Sequence, residues 1–119
     1  MGIVHVELFE FKPLATQEEV QDVCDRMMSL KDRCTHPKTH MPYLKTAIGG
    51  ANVCPEGRTN VCPEGRMNGR ISHVFVSEFD TPEDRKFYLE EDPAFREFVE
   101  SIEGIVEGRQ VVEFSPGEF

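Results

Sequence analysis

The sequence predicts an α+β fold of the ferredoxin-like type, βαββ(αα)β, with a four-stranded antiparallel sheet and its helices on one face. Three observations carry this. Four short segments read as strands, two helical stretches with clear start signals separate them, and the first strand is apolar on both faces. A chain of 119 residues supplies helices for one face only. The other face calls for a second sheet, which in so short a chain comes from another subunit.

Gly2 to Phe11 is the first strand. Its period of two puts Ile3, His5, Glu7, Phe9 and Phe11 on one side and Val4, Val6 and Leu8 on the other. A histidine and a carboxylate thus share a face with apolar neighbours. Thr16-Gln17-Glu18-Glu19 is a capping box that opens a helix. Val20, Val23, Cys24, Met27, Leu30 and Cys34 recur at helical spacing and give it one buried stripe. Tyr43 to Ile48 reads as the second strand, ended by Gly49-Gly50.

One internal repeat follows: Asn52-Val53-Cys54-Pro55-Glu56-Gly57-Arg58 recurs as Asn60-Val61-Cys62-Pro63-Glu64-Gly65-Arg66. Each copy reads as a turn, and two copies are too few for a solenoid, so residues 52–66 lengthen one connection within a single domain of residues 1–119. Ile71 to Phe79 is the third strand. Thr81-Pro82 starts a short helix carrying Phe87, Tyr88 and Leu89, and Asp92-Pro93 restarts one with Phe95, Phe98, Val99 and Ile102 as its buried stripe. Gln110 to Phe114 is the fourth strand.

The balance of 13 basic to 22 acidic residues, a formal charge of -9, repels phosphate backbones and anionic lipid heads, so neither nucleic acid nor a membrane is an expected partner. Glu7, Glu10 and Lys12 interrupt the first apolar run, and no other run approaches the roughly 20 residues of a membrane span. The expectation is a soluble, cytoplasmic protein. Its four cysteines read as free thiols. Cys34, His36 and His40, even with Cys54 and Cys62, fit no zinc spacing well, and neither a metal nor another cofactor is expected.

Ile3-Val4-His5-Val6-Glu7-Leu8-Phe9-Glu10-Phe11-Lys12, then Ser72-His73-Val74 with Glu78-Phe79, then Asp92-Pro93-Ala94-Phe95 before Phe98-Val99, together resemble the stress-responsive dimeric α/β barrel family. The stretch from Tyr43 to Gly50 with its following Pro-Glu-Gly turn is similar to fungal members. The resemblance implies a homodimer whose two sheets face each other, with helices outside. A plant member of the family cyclises a linear polyketide by aldol condensation, using two histidines and a tyrosine. His5 matches the first histidine, Tyr88 matches the tyrosine after a one-residue insertion, and Phe95 stands where the second histidine would be. A phenyl ring carries no proton, so a mechanism needing both histidines is lost.

Glu7 is what this chain has instead. From two residues away it can fix the His5 tautomer and raise its basicity, or act as the base itself, with burial raising its own pKa and a neighbouring imidazolium lowering it. Two readings follow. In the first, His5 and Glu7 remove a proton next to a carbonyl, Tyr88 binds the developing enolate, and Phe9, Phe11, Val23, Met27, His73, Phe95 and Phe98 line an apolar pocket for a polyketide-like ligand. In the second, the protein is a non-catalytic dimer: His5 and Glu7 are a buried structural pair, His73 makes a structural hydrogen bond, and the apolar residues are filled core.

Overall fold

The computed structural model describes residues 2–54 and 71–119. Elements run β1 (Ile3–Phe11), α1 (Gln17–Arg33), β2 (Thr46–Ala51), β3 (His73–Phe79), α2 (Pro82–Glu90), α3 (Pro93–Ile102) and β4 (Val106–Phe114). The four strands form one antiparallel sheet in the order β2-β3-β1-β4, the ferredoxin-like arrangement, with β1 and β3 central.

The helices begin where their caps dictate. The Thr16 hydroxyl accepts from the Glu19 N–H at 3.1 Å, and the Glu19 carboxylate accepts from the Thr16 N–H at 2.9 Å. Thr81 caps α2 through the Asp84 N–H, and Asp92 caps α3 through the Ala94 N–H. The second oxygen of Asp92 accepts from the Tyr43 hydroxyl, which ties the segment before β2 to the start of α3.

Two strands depart from the sequence expectation. β2 starts three residues later than Tyr43 and runs through Gly49-Gly50 instead of stopping there. Tyr43 and Leu44 are core side chains ahead of the ladder, while Gly49 sits opposite Phe75, whose ring occupies the place of the missing side chain. The glycine is thus a close-approach residue within a strand. β4 begins at Val106, four residues before Gln110, because Gly108 pairs with Glu10 next to a register shift that absorbs one extra residue. The third strand starts at His73, two residues inside the expected range.

Residues 55–70, which hold Cys62 and nearly all of the repeat, lie outside the described residues. The ends of that connection are pinned together: Asn52 donates its backbone N–H to the Ser72 carbonyl at 2.7 Å and its side-chain amide to the Ile71 carbonyl at 2.9 Å.

Packing separates the faces of the sheet. On the helix side, Phe9, Phe75 and Phe79 join Val23, Met27 and Leu30 of α1, Tyr88 of α2, and Phe95, Phe98 and Ile102 of α3 in one buried cluster. On the other side, cross-strand pairing lines up Ile48, Val76, Val6 and Val112 as an apolar row across all four strands, with Val74, Leu8, Val4 and Phe114 beside it. Ile48 is 60% exposed and Phe114 52% in the single chain, so this face lacks the cover the helices give the first.

At Gly49, a Cβ would stand 2.3 Å from Phe75 Cδ1 and 2.8 Å from the Val74 carbonyl oxygen. Gly49→Ala therefore destabilises the fold by about 1–3 kcal/mol in denaturant titration, whereas the open Gly50 accepts alanine with little change; equal effects at the two positions would contradict the packing described.

Candidate functional site

Register, not sequence proximity, assembles the polar centre of this core. β1 pairs with β4 so that His5 lies opposite Glu113, Glu7 opposite Val111 and Phe9 opposite Arg109. Arg109, Val111 and Glu113 therefore share the helix-side face with His5 and Glu7. His5 and Glu7 are both fully buried, at 0% exposure.

The His5 ring is held from both ends. Its Nδ1–H donates to Glu113 Oε2 at 2.6 Å and its Nε2–H donates to Glu7 Oε2 at 3.1 Å. Ionised carboxylates only accept, so an imidazolium, with hydrogen on both ring nitrogens, is the form that satisfies both contacts. The chain of charge extends outward at each end. Arg109 Nε donates to Glu7 Oε1 at 2.7 Å, and Arg85 Nη1 of α2 donates to Glu113 Oε1 at 2.7 Å. Five side chains alternate in sign: Arg85, Glu113, His5, Glu7, Arg109.

Burial alone would lower the His5 pKa, but hydrogen bonds to Glu7 and Glu113, with the charges of both, outweigh it and raise the pKa above the ordinary 6.5. Burial alone would raise that of Glu7, yet its hydrogen bond from His5 and the charge and hydrogen bond of Arg109 lower it below 4.5. Of the two opposed effects expected at Glu7, the imidazolium wins. An imidazolium has no lone pair to take a proton, and a carboxylate with both oxygens engaged and a lowered pKa is a weak base.

Tyr88 packs edge-on against His5, with ring centroids 5.9 Å apart, and against Phe95 at 4.1 Å. It is 1% exposed, and its hydroxyl has no hydrogen-bond partner among the described residues. Burial raises its pKa, as do the nearby carboxylates and Cys34, with Arg109 opposing. Two of these electrostatic neighbours, Asp92 and Arg109, also line a cleft of about 280 Å³ between α3 and β4, together with Phe95 and Val99. The Arg109 guanidinium lies 5.5 Å above the Phe95 ring.

The expected lining residues divide. Phe9, Val23, Met27, Phe95 and Phe98 are packed core, and only Phe95 reaches that cleft. Phe11 and His73 sit at the far end of the sheet, edge-on at 5.1 Å, beside a separate cleft with Val20. His73 pairs with Phe9 while Ser77 pairs with His5, so the antiparallel register keeps the two histidines apart. Sequence reasoning missed Arg85, Arg109 and Glu113. Placing the start of β4 at Gln110 left Arg109 off the strand, and only the β1–β4 pairing shows that Glu113 faces His5. Cys34, a metal candidate by type, is buried, whereas His40 is exposed; among the described residues no three His, Cys, Asp or Glu side chains form a metal cluster.

The two shifts fix how stability varies with pH. The raised His5 contributes stability that is complete below 6.5 and lost as pH climbs through its folded value; the lowered Glu7 contributes stability that is complete above 4.5 and lost as pH falls through its own. Thermal melts should therefore peak between about pH 4.5 and 6.5 and decline on the alkaline side; a melting temperature that keeps rising above 6.5 would contradict a buried imidazolium.

No curated protein matches this sequence. Among solved structures, the Arabidopsis thaliana protein At3g17210 is similar at 20% identity and a TM-score of 0.74, covering 98% of this chain and 97% of its own. A hydroxynitrile lyase from Passiflora edulis is similar at 18% identity and a TM-score of 0.74, with 99% and 96% covered. A dimeric ferredoxin-like protein of unknown function from Thermobifida fusca is similar at 23% identity and a TM-score of 0.68, with 97% and 91% covered. These likenesses show the fold, and no helix among the described residues is long and apolar enough to cross a membrane. The stress responsive A/B barrel domain pattern (Dabb) matches residues 3–116, and this chain belongs to that family.

Proposed function

We propose that this chain acts as a homodimer that binds a small, largely apolar molecule through a hydrogen-bond acceptor such as a carbonyl oxygen, with Tyr88 as donor. The carrying observation is the Tyr88 hydroxyl, buried without a partner among the described residues. A buried hydroxyl left unpaired costs roughly 1–3 kcal/mol, a cost that an acceptor from a ligand removes. The cleft beside Asp92, Phe95 and Arg109 offers the approach, and its apolar wall suits a carbon skeleton such as that of a polyketide. The apolar row on the outer face of the sheet supports the dimer, as does the description of the Thermobifida fusca neighbour as dimeric.

Proton abstraction by His5 and Glu7 fits this geometry poorly, because both are fully buried and their ring nitrogens and carboxylate oxygens are engaged inside the protein. A catalytic reading has one observation in its favour. The imidazolium lies beside the Tyr88 phenol, an arrangement that suits giving a proton to, or stabilising, a developing oxyanion. The neighbour from Passiflora edulis is a lyase of hydroxynitriles, which are carbonyl adducts, and the same acid role would suit such chemistry.

Tyr88→Phe tests the proposal with an aromatic ketone such as acetophenone as probe. The wild-type protein gains about 2.7 kcal/mol at 100 times the dissociation constant. The variant loses that response, while its ligand-free form is more stable by about 1–3 kcal/mol because the orphan hydroxyl is gone. A variant that is less stable and still responds to the probe would overturn the assignment.

A further inference from the structure

The five-membered charge chain is asymmetric in a way that bears on access to the Tyr88 site. At the Arg109 end the carboxylate, Glu7, is fully buried, the Arg109 side chain is 26% exposed, and both stand on the sheet. At its outer end the Glu113 side chain is 21% exposed and the Arg85 side chain 34%, and their ion pair joins a helix to an edge strand. α2 packs against β3 and α3, and this partly exposed ion pair is what ties it to β4. The two buried side-chain polar atoms without a partner among the described residues, Arg85 Nε and the Tyr88 hydroxyl, both belong to α2. Hence α2 is the helix whose polar groups are least satisfied in this closed arrangement.

The groups facing His5 come from three elements: Glu7 from β1, Glu113 from β4, and the Tyr88 ring from α2, with Arg109 and Arg85 behind the carboxylates. Ser77 and Phe79 of β3 complete the surroundings and carry no charge. If His5 loses its proton to solvent, one ring nitrogen keeps its N–H and the other presents a lone pair to a carboxylate. One carboxylate must then withdraw. Glu7 is sealed in the core. Glu113, at the edge and partly solvated, is the one that can turn outward, and Arg85 is bound to it.

We infer that α2 is a strap closed by the charge on His5: with the imidazolium present, Glu113 and Arg85 tie α2, and the Tyr88 it carries, to β4, and deprotonation releases that tie. The inference rests on Tyr88 being the ligand site and deepens that reading by naming what controls entry. Because the chain's members differ from the binding residue, the two can fail separately.

Hydrogen exchange resolved along the chain tests it. In the wild-type protein, protection of the α2 amides falls as pH rises from 6.5 through the raised His5 value, by at most about tenfold per pH unit, and then levels, since only the closed form holds the extra proton. The central strands β1 and β3 remain better protected than α2 throughout. Glu113→Gln gives pH-independent α2 protection, because its amide can accept from a protonated ring nitrogen or donate to a bare one and so keeps the contact in either state. Tyr88→Phe keeps the pH-dependent fall, at an overall protection raised by loss of the orphan hydroxyl, whether or not any probe binds. A flat wild-type profile, a stepped profile in Glu113→Gln, or α2 falling together with β1 and β3 at equal protection would each overturn the strap.

Discussion

Two carboxylates converge on one buried imidazole, and much of this structure follows from satisfying them. Isolated charges of this kind are costly to remove from water, and removing a partner from a buried pair typically costs roughly 3–5 kcal/mol. Here His5 is bonded at both nitrogens, Glu7 spends both oxygens on His5 and Arg109, and Glu113 spends both on His5 and Arg85. That arrangement requires β1 and β4 in one particular register. A slip by one residue would turn Arg109 and Glu113 to the outer face and leave His5 and Glu7 without their outer partners. The polar centre thus specifies the pairing of the edge strand, a task to which the apolar contacts of β4, half-exposed on both faces, contribute less.

The sheet consequently has two faces with different duties. The helix side buries aromatic side chains around a charged centre, and the same packing encloses Tyr88 with its hydroxyl unpartnered. The opposite side is a plain apolar surface from Ile48 across to Val112, without a charge in its central row. The candidate site and the exposed apolar face are therefore separated by the thickness of one sheet. In the proposed dimer, the outer face can be covered without disturbing the site.

Much of the fold was legible in the sequence because its signals are local. The capping box at Thr16, the Thr81-Pro82 and Asp92-Pro93 starts, and the alternation in β1 each depend on neighbouring residues and hold in the structure. The errors came from non-local facts. Gly49-Gly50 reads as a terminator until Phe75 is known to lie over Gly49, and the early start of β4 depends on a bulge against Glu10. The candidate site was half legible for the same reason. His5 and Glu7 stand out as polar residues on an apolar face, and Tyr88 through its resemblance, but Glu113 and Arg109 lie 108 and 102 residues from their partners and were unremarkable surface-type residues in the sequence. They are also the residues that bear most on the chemistry, since a lone His-Glu pair leaves ring and carboxylate atoms free and this chain of five engages them.

What the protein can do at this site therefore turns on the protonation state of a single ring. Nitrogen-15 NMR of His5 through a pH titration reads it directly. Both ring nitrogens should carry hydrogen at pH 6.5, each coupled to its own proton and slow to exchange with water, with the titration midpoint above that value. A midpoint at or below 6.5, with one nitrogen already bare there, would contradict the charge chain and return His5 to the role of a base.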